Sequence, residues 1–206
     1  MRIWCEIIKV NLRHHFPAPF LSAACIMTLT ILLFPVAALR GEDVSKPLEY
    51  LMPFLGAALL TPVFLPEQDC GIGDVVESKK ISGAAVYMVR LLYSVTVLTA
   101  FIVLFTGLMY LNECEVRWVH LYGGVYSALF MGSIGFMVSG VSGNTIAGYM
   151  AVFIYYLACF GLKKQLGVFW LFRMSKGLRP EKIWLLFGSI LLVGLTFAVI
   201  GWRRRR

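Results

Sequence analysis

The chain has 206 residues, of which 59% are hydrophobic and 15% charged, with a mean hydropathy of +0.79 and a formal net charge of +8. Soluble domains are about half apolar and about a quarter charged, so this composition excludes a water-soluble globule and predicts an all-α integral membrane protein. The basic residues flank hydrophobic stretches and form no stripe with interleaved aromatic residues, which favours the lipid bilayer over nucleic acid as a partner.

The apolar stretches predict six membrane-spanning helices. About 20 apolar residues cross a hydrocarbon core roughly 30 Å thick, and uncharged windows cover residues 17–39, 50–66, 91–112, 118–162 and 183–202. The fourth window is too long for one span, and the small, turn-prone residues at 139–145 favour a reversal within it. Ahead of the first span, residues 1–16 have the pattern of an amphipathic helix lying along the membrane surface.

The number of spans and the terminal charge predict the orientation. An even number places both termini on one side of the membrane, and the four arginines at residues 203–206 favour the cytoplasmic side. We therefore expect a multi-pass protein of the plasma membrane with both termini in the cytoplasm. The other basic residues discriminate little, because six of them fall in one expected external segment, residues 163–182.

That external segment precedes the last span, and its residues recur at helical spacing. Leu162, Leu166, Phe169, Trp170 and Arg173 would share one apolar and aromatic face with basic edges. This pattern predicts an interfacial or partly re-entrant helix, with Phe169 and Trp170 on its apolar face.

Glycines are frequent in the fourth and fifth spans, and small side chains let helices approach one another closely. Packing within one chain is favoured over a seam between subunits. The glycines are Gly123, Gly124, Gly132, Gly135, Gly140, Gly143 and Gly148.

No pattern in the sequence predicts catalytic residues, a metal site or a cofactor bound by this chain. The sequence has no phosphate-binding loop, nucleophile elbow or zinc-protease pair, and its five cysteines lack zinc spacing. The charge-free span centres argue against a proton- or sodium-coupled carrier, which needs ionisable groups within the membrane. If the chain is a transporter, the energy for transport would therefore have to come from another subunit, and a membrane-embedded enzyme or assembly factor is the alternative class.

The loop between the second and third spans, residues 67–82, is amphipathic. Ile72, Val75 and Val76 form an apolar patch flanked by Asp74 and Glu77. A short exposed helix of this kind is a candidate docking surface for a cytoplasmic partner, and an equally good interpretation is a helix lying on lipid headgroups.

In this loop the sequence resembles the permease subunits of ABC-2 type ABC transporters. Their loop carries a glutamate at the end of the second span, then a glycine, an acidic residue, a serine and a basic residue at the start of the third span. Glu67, Gly71, Asp74, Ser82 and Arg90 stand at the matching positions.

The resemblance extends to the layout of the whole chain, although Ile72 and Lys80 stand where the family prefers threonine and proline. It implies one transmembrane permease domain over residues 1–206 that pairs with a second copy of itself or a related permease. Two copies of a separate cytoplasmic ABC ATPase would bind ATP and magnesium and receive residues 67–82 as a coupling helix. Most of the family are exporters, so we expect export, and the aromatic external segment and apolar spans suit a hydrophobic or amphipathic cargo such as a peptide, lipid or drug.

Overall fold

A computed structural model describes residues 16–34, 36–68, 83–162, 165–176 and 182–203. This part of the chain is helical and contains no strand. The predicted amphipathic helix at residues 1–16 lies outside the described residues except for Phe16.

The helices follow the predicted apolar windows in chain order. They are α1 Pro17–Leu33, α2 Ser45–Tyr50, α3 Pro53–Leu60, α4 Leu65–Gln68, α5 Gly83–Leu111, α6 Trp118–Ser142, α7 Thr145–Gly161 and α8 Ile183–Arg203, with 3₁₀ turns at Thr61–Phe64, Gly167–Phe169 and Met174–Lys176.

Four of the described stretches are long and apolar enough to cross a membrane, namely Ser45–Phe64, Val86–Leu111, Trp118–Ser142 and Ile183–Arg203. The helices α1 and α7 are apolar but shorter, with 17 residues each. The prediction of a helical membrane protein is therefore confirmed at this level, and the number of six spans stays a prediction.

The first of these regions, Ser45–Phe64, is a broken helix that we call the segmented span. It contains α2, a turn at residues 51–52, α3 and a 3₁₀ turn. Pro53 opens α3, and Pro62 lies in the 3₁₀ turn. Proline has no backbone N–H and fixes φ, so it begins helical segments well and interrupts continuing ones. The segmented span begins five residues before the predicted window and therefore includes Glu49.

Helix α6 is the centre of the bundle, and its glycines allow direct backbone contact. A side chain at Gly56 of α3 would overlap the carbonyl of Ala128, and one at Gly132 would lie 2.6 Å from the carbonyl oxygen of Gly56. A side chain at Gly140 would meet the side chains of Phe64 and Thr196 within 3.0 Å. These contacts confirm that the glycines of α6 pack within the chain.

The connections divide the bundle into two ends. Backbone hydrogen bonds of 2.9 Å join Ala38 N to Asn112 O and Glu115 N to Leu39 O. The connection after α1 and the connection between α5 and α6 therefore lie together, at what we call the 112–117 end.

The opposite end, which we call the Gly143 end, contains the turn between α6 and α7. Gly143 adopts φ 68°, in the left-handed region that favours glycine, and the Asn144 side chain accepts a 2.9 Å hydrogen bond from Ile146 N. The reversal predicted at residues 139–145 is confirmed.

Candidate functional site

The described residues before α8, 165–176, fold back into the bundle, and we call them the inserted segment. They contain two 3₁₀ turns and no α-helix, so the helix predicted here as interfacial or partly re-entrant does not form over these residues, although the segment does enter the bundle. Gly167 turns the chain at φ 52°. Trp170 is 8% exposed whereas its neighbour Phe169 is 39% exposed, which places the two side chains in different environments instead of on one shared face.

Hydrogen bonds between α7 and the inserted segment explain why the segment is not the helix that its residue spacing predicts. The Tyr155 hydroxyl donates to Phe169 O at 2.5 Å, and Trp170 Nε1 donates to Cys159 O at 2.9 Å. Tertiary contacts of this kind commonly outweigh helix propensity, which is worth only tenths of a kcal/mol per residue, as an order of magnitude.

Aromatic packing buries the inserted segment against α2 and α7. Phe172 stacks on Tyr50 with ring centroids 4.6 Å apart, and it also contacts Phe160 at 4.8 Å. Tyr156 of α7 donates a 2.8 Å hydrogen bond to the carbonyl of Tyr50. The part of the segmented span nearest the 112–117 end is thereby joined to both the inserted segment and α7.

Glu49 of α2 is the centre of a buried polar cluster. Its two carboxylate oxygens accept the backbone N–H groups of Met174 at 2.7 Å and of Ser175 at 2.9 Å. The Lys182 ammonium lies 2.6 Å from Glu49 Oε1 and donates to Ser127 Oγ at 2.9 Å. The carboxylate therefore holds the inserted segment by two charge-assisted hydrogen bonds and the start of α8 by an ion pair.

Burial and charge act in opposite directions on this pair. The Glu49 side chain is 0% exposed and that of Lys182 is 3% exposed. Burial lowers the pKa of Lys182, whereas the nearby carboxylate of Glu49 raises it. Two such charges are tolerated inside a protein only when each is neutralised and hydrogen-bonded, as both are here.

The central helix leaves room for this cluster at a glycine. A side chain at Gly123 would overlap the Met174 sulfur and lie 3.2 Å from Lys182 Cδ. The Ser127 hydroxyl also donates a 2.8 Å hydrogen bond to the backbone carbonyl of Gly123. Gly123, which was predicted to be a packing position, is thus where the inserted segment contacts α6.

The cluster was missed by the sequence analysis because the spans were defined as charge-free windows. Glu49 directly precedes the second window and Lys182 directly precedes the last one, so both were treated as residues outside the spans. A signal for the pair was available in the sequence. Its two opposite charges stand at the edges of two windows that were expected to begin on the same side of the membrane. Glu49 and Arg90 each lie within the first five residues of a candidate span, so the predicted windows were too short at these ends, while the centres of the four candidate spans carry no Asp, Glu, Lys or Arg.

Arg90 was expected at the start of the third span, but α5 begins at Gly83 and Arg90 lies two turns inside it. The side chain is 5% exposed, and its Nη1 donates to Val63 O at 3.1 Å in the 3₁₀ turn. Tyr87 lies next to it, with its ring centroid 4.8 Å from that of Phe64. Arg90 therefore joins α5 to the 3₁₀ turn of the segmented span, near the Gly143 end.

Most of the other residues predicted to couple the chain to an ATPase lie outside the described residues. Glu67 belongs to α4, but its side chain is not among those described. Since α4 ends and α5 begins at the Gly143 end, the chain leaves and re-enters the described bundle at that end. The residues outside the described ranges are Gly71, Ile72, Asp74, Val75, Val76, Glu77 and Ser82.

The polar cluster is suited to holding an element in position. Among the described residues, no three His, Cys, Asp or Glu side chains are close enough together to hold a metal ion.

Comparison with family models, with curated proteins and with solved structures gives no match to this chain. The description of the molecule as a helical membrane protein therefore comes from its own apolar helices.

Proposed function

We propose that the chain is the membrane-spanning permease subunit of an ATP-driven exporter, with ATP hydrolysed by a separate partner subunit. The observation that carries this proposal is the segmented span, whose two ends are hydrogen-bonded to different parts of the bundle. Glu49 joins its outer end to the inserted segment, and Val63 joins its inner end to Arg90 of α5.

A broken helix tied at both ends can transmit a displacement across the bundle. Motion of α4 or α5 at the Gly143 end would move the 3₁₀ turn through the Arg90 hydrogen bond. The turns at residues 51–52 and Thr61–Phe64 allow α3 to tilt, and Glu49 would carry that tilt into the inserted segment. Discontinuous helices recur in transporters, where they line the site around which the helix bundles rock.

The proposed assembly contains two permeases, either two copies of this chain or this chain with a related one, and two ATPase subunits that bring ATP and magnesium. The Gly143 end faces the cytoplasm in this arrangement, so that residues 67–82 can reach the ATPase. The cargo is a hydrophobic or amphipathic molecule, which suits a path lined by apolar helices in the plasma membrane.

Val75→Asp should detach or uncouple the ATPase, because the proposed coupling loop contacts its partner through an apolar patch. Burying a valine is worth about 1.5 kcal/mol or more, and burying an unpaired carboxylate costs several kcal/mol. The measurement is recovery of the ATPase with tagged permease from membranes, together with transport-stimulated ATP hydrolysis.

Glu77→Lys is the matched control, since exposed ion pairs are typically worth ~0–1 kcal/mol and the change should matter less. Loss of the complex in Glu77→Lys with retention in Val75→Asp would contradict an apolar coupling surface. If no ATPase is recovered with the wild-type chain and a membrane-embedded enzymatic activity is found instead, the alternative class is correct.

The proposed orientation predicts which exposed positions react with a membrane-impermeant thiol reagent applied to intact cells. Glu115→Cys at the 112–117 end should be labelled, and Ser142→Cys beside Gly143 should not. The native Cys114 is 5% exposed and should react slowly. Peptide mapping by mass spectrometry assigns each label, and the reverse labelling pattern would invert the topology.

A further inference from the structure

An open groove lies between α5 and α6 at the 112–117 end, away from the buried polar cluster. Its volume is about 380 Å³, within the range of small-molecule sites. Four residues of α5 spaced along one face form one wall, and residues at the start of α6 form the other. The residues used below are Val103, Gly107, Tyr110, Arg117, Trp118 and Leu121.

The groove exists because only one side of α5 packs against the bundle here. Ile102, Phe105 and Met109 are fully buried in the core. Gly107 lies on the flank, where a β-carbon would meet nothing within 4 Å. A missing side chain at this position therefore leaves the two helices separated near their ends.

The lining changes from polar and aromatic to apolar along the groove. Tyr110 and Trp118 at the helix ends are 71% and 75% exposed, as expected for side chains at a membrane interface. Val103 lies two turns deeper along α5, about 10 Å below Tyr110 at 1.5 Å per residue. The groove thus has an interfacial mouth and a floor directed towards the hydrocarbon.

The mouth also carries a positive charge. Arg117 lines the groove, and in the described part of the chain no carboxylate lies within ion-pair distance of it. Glu113 and Glu115 of the same connection are exposed and do not line the groove. A guanidinium presents N–H groups in a planar fork that matches two oxygens of a phosphate.

We propose that this groove binds one anionic phospholipid, with its phosphate on Arg117 and an acyl chain along Val103, Gly107 and Leu121. The charge at the mouth selects a headgroup of net negative charge over a zwitterionic one. The apolar floor selects a molecule with a tail over free phosphate. The inference depends on membrane embedding of α5 and α6 and not on ATP-driven transport.

The experiment is native mass spectrometry of the purified full-length chain, equilibrated in detergent with phosphatidylglycerol or with phosphatidylcholine of the same acyl chains. We expect one phosphatidylglycerol to be retained with a preference of roughly fivefold, because both lipids offer a phosphate but only phosphatidylcholine places a quaternary ammonium beside Arg117, and one basic residue contributes an effect of this size toward anionic lipid. Arg117→Gln should reduce retention to the level of phosphatidylcholine. Gly107→Phe, which fills the groove, should remove retention of both lipids.

Two control variants separate the site from general effects of charge and bulk. Arg40→Gln removes another exposed arginine, and Gly194→Phe adds the same bulk to α8, where a β-carbon also meets nothing within 4 Å. Both should retain phosphatidylglycerol like the unmodified chain. Equal retention of the two lipids, or an unchanged preference in Arg117→Gln, would overturn the proposal. If Gly107→Phe fails to fold, Arg117→Gln against Arg40→Gln decides the outcome.

Discussion

Lys182→Met should lower the free energy of unfolding by about 3–5 kcal/mol, the cost of breaking a buried ion pair by removing one partner. The change leaves the Glu49 carboxylate buried with two backbone donors and no counter-charge. It also removes the donor to Ser127. Thermal and denaturant unfolding in detergent, followed by circular dichroism, would measure the loss.

Two comparisons test whether the pair itself is responsible. In the double variant Glu49→Gln with Lys182→Met, both charges are gone and the amide oxygen still accepts one backbone N–H, so the loss should be smaller than the sum of the single losses by at least about 1 kcal/mol. The exposed pair between Lys46 and Asp43 provides the control, because Lys46→Met should leave the unfolding temperature nearly unchanged. Additive losses in the double variant would contradict a coupled pair.

Gly56→Ala should destabilise the bundle by about 3 kcal/mol or more, at the upper end of the usual cost of overpacking. The added methyl group would overlap the Ala128 backbone carbonyl, which cannot move aside as the end of a flexible side chain could. The helices α3 and α6 would have to separate. The readouts are the folded fraction after size-exclusion chromatography and the unfolding temperature.

Gly194→Ala is the matched control, because a β-carbon at Gly194 meets nothing within 4 Å. Alanine is the better helix former by about 1 kcal/mol, so this variant should be neutral or slightly more stable. If Gly56→Ala behaves like Gly194→Ala, α3 and α6 do not cross at these backbones.

The local features of the fold could be predicted because their signals lie close together in the sequence. The apolar windows predicted the helices in chain order, and Gly143 with Asn144 supplied the residue types that end one helix and cap the next. The prolines at 53 and 62 also mark the breaks in the segmented span, although the second window was treated as one helix.

The candidate site could not be predicted because its partners are far apart in the chain. Nothing near Glu49 indicates that Met174, Ser175 and Lys182 will surround it. The helical spacing around Trp170 was a real local pattern, but the hydrogen bond to Cys159 and the aromatic contacts required a different conformation. The proposed coupling residues stay a prediction, since they lie outside the described part of the chain.

The ion pair between Glu49 and Lys182 has a consequence for how the protein is made. Glu49 belongs to the second apolar region to leave the ribosome, whereas Lys182 is synthesised only just before α8. Until then the carboxylate has neither its counter-charge nor the Met174 and Ser175 amides, and a lone charge is costly in hydrocarbon. Before the last helix arrives, the nascent bundle must therefore keep this carboxylate either in contact with water or protonated.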